Sequence, residues 1–150
     1  MMANESDVKT IEGRYRTLLV LWIAFLPTIA LYFVLTLLQP NREQLENRVL
    51  SLVFSAISAF LVVVSFPMKK TFLSRSVDTQ QVGLLNSGFV LAMALCEAAG
   101  LLALLDFFIA HDRYYFILMA LAFVGVLLHF PRRSHVEAAS FKSALGSQLN

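Results

Sequence analysis

The sequence predicts an all-α integral membrane four-helix bundle with both termini cytoplasmic. Three observations carry that reading. The chain is 58% hydrophobic and 15% charged over 150 residues, with a mean hydropathy of +0.70; a soluble domain runs to roughly 45–50% apolar and 25% charged. The apolar residues fall in four solid runs, at about 17–38, 50–66, 83–110 and 114–130, without the period-2 alternation of a membrane barrel. The cations are segregated. Lys9, Arg14, Arg16, Lys69, Lys70, Arg75, Arg132, Arg133 and Lys142 flank one side of the four runs, and only Arg42, Arg48 and Arg113 flank the other. A positive-inside bias of this kind places the polar tails, 1–16 and 131–150, in the cytoplasm. The length leaves room for a single transmembrane domain, 1–150, located in the inner (plasma) membrane if the source is bacterial.

A hydrocarbon core of about 30 Å requires roughly 20 helical residues. The first and third runs meet this easily, and the second and fourth lie near the lower limit. The first run is too long for a signal peptide, has no small-x-small cleavage site after it and is expected to remain. Pro27 should kink it and free a backbone carbonyl, which neighbouring Thr28 can help to satisfy. Asn41 followed by Gln44 marks a helix start for the second run. Lys69 to Val82 reads as a basic inner loop, with Phe72 and Leu73 able to rest on an anionic leaflet. His111, Asp112 and Arg113 alone separate the third and fourth runs, so these helices must be antiparallel neighbours. Tyr114 and Tyr115 then sit at the outer interface. Beyond Pro131 the tail is polar, with Phe141 and Leu145 spaced for a short surface helix.

Catalytic signatures are missing. The chain has no Gly-rich phosphate loop, HExxH, CxxC or Gly-x-Ser-x-Gly. His111, His129 and His135 fall on opposite sides of the membrane and cannot share a metal; His129 reads as a snorkelling interfacial residue. The single Cys96 reads as a small packing residue. The expectation is therefore a non-enzyme with no cofactor, no metal and no nucleic-acid partner, whose first partner is the lipid bilayer.

Glu97 is the exception within the third run. An acid near a helix centre costs about 2.5–3.5 kcal/mol, and the surrounding Leu, Ile, Phe and Val offset that at about 0.3–0.6 kcal/mol each. Intramembrane carboxylates are functional-site hypotheses by default. At 100° per residue Asn86, Val90, Met93, Ala94, Gly100, Leu101 and Leu104 share its face. Alongside runs a small-residue ladder of Gly88, Ala92, Cys96, Gly100 and Ala103, of the kind that lets another helix approach. Ser58 and Thr28 are the hydroxyls nearest in depth, with Tyr32, Ser51, Ser55 and Ser65 as further donors. No span offers a cation, so Glu97 is expected to be protonated and to donate a hydrogen bond. Asp106, nine residues on and near the outer interface, is expected to be hydrated and without a role.

The stretch Ala94-Leu95-Cys96-Glu97-Ala98-Ala99-Gly100-Leu101-Leu102 resembles the ion-binding helix of the ATP synthase proteolipid (subunit c). That resemblance implies a proton- or sodium-binding role for Glu97, with Asn86, Ser58 and Thr28 as candidate companions. The second run carries Ser and Ala where proteolipids have a glycine ladder, and the inner loop lacks an Arg-Gln-Pro-like motif. As a whole the chain resembles small four-helix bacterial inner-membrane proteins with an Ala-Leu-x-Glu-Ala helix and a closing His-Phe-Pro-Arg-Arg segment, here His129 to Arg133. This implies a fold and a location. Two functions follow as expectations: an association or accessory subunit, forming a homo-oligomer or joining a membrane-protein partner through the third helix, or a proteolipid-like ion binder.

Overall fold

The computed structural model describes residues 5–39, 47–79, 81–134 and 136–137, and those residues form four α-helices and no strand. They are α1 (Glu5–Leu37), α2 (Arg48–Thr79), α3 (Val82–Leu105) and α4 (Tyr115–Leu128). A π-helical turn, Asp106–Ala110, continues α3. Three stretches are long and apolar enough to cross a membrane, Ile11–Leu37, Arg48–Thr79 and Gly83–Ala110. At 14 residues, α4 spans only about 21 Å.

α3 is the central element, packed against α2, α4 and α1. Its small residues decide this. Ala92, Cys96, Ala99 and Ala103 are completely buried, and Ser58 of α2 donates to the Ala99 carbonyl at 3.0 Å. A Cβ at Gly88 would run into Phe72 of α2, so the helices approach there as only a glycine permits. Gly125 of α4 does the same where three helices meet, 2.9 Å from Cys96 Sγ and 3.2 Å from Val62 Cγ1 by the position its Cβ would take. The small-residue ladder is thus spent on contacts inside a single chain.

The basic segment after Lys69 is helix, not loop: α2 runs unbroken through Pro67 to Thr79. At 32 residues it is about 48 Å long and overshoots a 30 Å core. Phe72, Leu73, Ser76 and Val77 supply the reason, because their spacing forms a face that packs on the start of α3. Ser76 is buried and donates to the Gln81 carbonyl at 3.0 Å. At the opposite end of α2, Asn47 caps the helix, its Oδ1 accepting from the Leu50 N–H at 3.2 Å. Asn41 and Gln44, expected to start this helix, lie outside the described residues, as do Phe141 and Leu145. In α1 the Thr28 hydroxyl goes to the Ala24 carbonyl at 3.3 Å. The carbonyl that Pro27 leaves without its N–H belongs to Ile23, four residues back, so Thr28 does not supply that group.

Candidate functional site

Glu97 lies at the middle of α3, on the side turned to α1. α1 packs beside Gly100, one turn on, where an added Cβ would make ordinary contacts, 3.5 Å from Tyr32 Cδ2 and 3.7 Å from Ile29 Cγ1. That approach brings the Tyr32 hydroxyl to Glu97 Oε1, to which it donates at 3.3 Å. Both side chains are half-buried. Beside Glu97 along α3, Val90, Ala94, Leu101 and Leu105 are exposed, so the carboxyl interrupts an otherwise apolar outer stripe.

The companions expected for Glu97 are elsewhere. Ser58 sits on the α2 side of α3, its hydroxyl on the Ala99 carbonyl, and Thr28 bonds within its own helix. Asn86 is eleven residues, about 16 Å, down the helix axis, and its Oδ1 is buried without a partner among the described residues. Tyr32 is therefore the hydroxyl that reaches the acid. A tyrosine O–H and a carboxyl can share a hydrogen bond and exchange a proton with whatever covers them. The two carboxyl oxygens and the hydroxyl make three ligands, about half of the six or more that hard cations take.

A second polar group closes the far end of the bundle. Asp106, expected near the wet outer interface, is completely buried, and Asp112 is 8% exposed. Ser51 of α2 lies between them, with its Oγ 2.8 Å from Asp112 Oδ2 and 3.4 Å from Asp106 Oδ2. One hydroxyl proton serves both, and the shorter contact takes most of it. Asp112 Oδ1 also accepts from the Tyr114 N–H at 2.9 Å, and the Asn47 N–H donates to the Ala110 carbonyl at 2.9 Å. The chain turns there through His111, which holds a left-handed φ of 56°. The reason for the burial was present in the spacing. Asp106 continues the line Ala92, Cys96, Ala99, Ala103 at three- and four-residue intervals, the face turned to α2, whereas its depth alone suggested hydration.

His129 is also buried, not snorkelling, with its ring edge-on to Phe66 at 4.7 Å. It extends the buried line Ala122, Gly125, Val126 of α4. Trp22 of α1 closes this end, its Nε1–H donating to the Val126 carbonyl at 2.9 Å. That carbonyl, in the last turn of α4, also accepts from the His129 N–H at 3.1 Å. No family model, curated protein or solved structure matches the chain.

Proposed function

We infer that the chain is a non-enzymatic multi-pass membrane protein that works by association, as an accessory subunit or with its own copies, through the Glu97 face of α3. One observation carries this reading: a partly exposed carboxyl stands at mid-helix among exposed Val90, Ala94 and Leu101. Apolar side chains facing lipid cost nothing, and the bundle presents many of them. A carboxyl facing lipid does cost, about 2.5–3.5 kcal/mol near a helix centre, and a covering helix would recover part of that. The ladder of Gly88, Ala92, Cys96, Gly100 and Ala103 is buried within the chain, so on α3 the outer stripe is the surface left for a partner. In this reading all four helices cross the inner membrane of a bacterial cell with both tails cytoplasmic, and the short α4 crosses where the bilayer adapts to it.

The test is complex size in mild detergent. Ala94→Trp should reduce the complex to a single chain, while Ala120→Trp on the exposed side of α4 should leave it intact. A wild-type protein that already runs as a single chain, or equal effects of both variants, would sink the reading. A second reading, proton or sodium binding at Glu97, is favoured by the Tyr32 hydroxyl beside the carboxyl. Carbodiimide labelling of Glu97 that declines as pH rises, or that sodium blocks, would support it. Absence of labelling in folded protein would remove it.

A further inference from the structure

The basic end of the bundle holds a crevice that the association reading does not use. It is lined by Leu18 of α1, Lys69 and Leu73 of α2, Leu85 and Phe89 of α3, and Arg132 beyond α4. Lys69 is held in place by neutral groups: its Nζ donates to the His129 carbonyl at 3.2 Å and stands 5.3 Å from the centre of the Phe89 ring. Arg132 is near enough for its charge to act on Lys69. Two cations side by side against an apolar wall repel each other, and a low-dielectric surround strengthens the repulsion.

Among the described residues neither cation is neutralised. The ion pairs there are Arg16–Glu12 at 3.3 Å and Arg133–Glu137 at 3.1 Å, which leave Lys69 and Arg132 out. The acids of those pairs, Glu12 and Glu137, are engaged with Arg16 and Arg133. None of the described residues that line the crevice is acidic.

We propose that it binds the phosphate of an anionic phospholipid, with Lys69 and Arg132 on the headgroup and Leu18, Leu73, Leu85 and Phe89 against the glyceryl and upper acyl carbons. Basic pockets between transmembrane helices bind lipid headgroups in this way, and arginine's planar fork suits phosphate oxygens. The crevice is shallow and encloses only a water-sized space. A soluble anion would need gripping from several sides, whereas a lipid needs only a seat for its headgroup because its tails stay in the bilayer.

Native mass spectrometry of the purified full chain tests this with phosphatidylglycerol and phosphatidylcholine as probes. Wild type should retain phosphatidylglycerol and not phosphatidylcholine. Lys69→Gln with Arg132→Gln should weaken retention roughly 25-fold, about fivefold per cation, while Lys70→Gln with Arg75→Gln changes it by less than about twofold. Circular dichroism checks that each variant is folded. Should the double variant fail to fold, Arg132→Gln alone, at an exposed position, should still show the fivefold loss. Equal retention of both lipids, unchanged retention in the Lys69 and Arg132 variants, or equal losses in the Lys70 and Arg75 pair would overturn the proposal. Inorganic phosphate that displaces phosphatidylglycerol at low millimolar concentration would overturn the lipid as the source of the anion. The measurement reads one chain, so it stands or falls separately from association.

Discussion

Ser51, Tyr32 and Glu97 differ in what surrounds their hydrogen bonds. Tyr32 and Glu97 are half-buried, and a hydrogen bond between membrane helices averages about 0.6 kcal/mol. Ser51 donates to buried Asp112 at 2.8 Å and lies 3.4 Å from buried Asp106, and losing a hydrogen bond to a buried acceptor costs about 1–3 kcal/mol. Ser51→Ala should therefore destabilise the protein by about 1–3 kcal/mol, and Tyr32→Phe by less than about 1 kcal/mol. Thermal unfolding in one detergent ranks them, and the reverse order would show that the Asp106–Asp112 end contributes little to the fold. The cause of the difference is burial, which residue type alone does not reveal.

Between helices the decisive groups are glycines and alanines. Adding a methyl at Gly88 meets Phe72, whereas at Gly100 the nearest atom is 3.5 Å away, an ordinary contact. Gly100→Ala should thus be neutral or stabilising by about 0.5–1 kcal/mol, because alanine favours the helix. Gly88→Ala should cost about 1–3 kcal/mol through overpacking. Equal melting temperatures for the two would contradict the packing described. The sequence read well wherever apolar runs were continuous: the four runs correspond to the four helices, and the ladder on α3 was visible as spacing. It read poorly where polarity and helix coincide. Lys69 to Val82 reads as a loop because its charges outweigh the face made by Phe72 and Leu73, although α2 continues to Thr79. Asp106 and His129 were judged by depth along the helix when the deciding quantity was the face each occupies. Tyr32 as the partner of Glu97 was one of several hydroxyls that spacing left open, since the rotation of α1 against α3 is set by tertiary packing that helix periodicity does not encode.

Across the whole molecule, polar groups are sorted by position. One end carries the Ser51, Asp106 and Asp112 cluster, the other the cations around Lys69 and Arg132, and between them a single carboxyl is partly exposed on an apolar surface. The Ser51 end is closed by the chain's own contacts; we propose that the middle takes a protein partner and the basic end a lipid. Disulfide cross-linking in native membranes tests that claim most directly, using single cysteines placed at Ala94 or Leu101 and, as a control face, at Leu128. Buried Cys96 is shielded and can remain. The account predicts a discrete cross-linked species from Ala94→Cys and Leu101→Cys that Glu97→Leu diminishes, and none from Leu128→Cys. Cross-linking from Leu128→Cys alone, or equally from both faces, would contradict it.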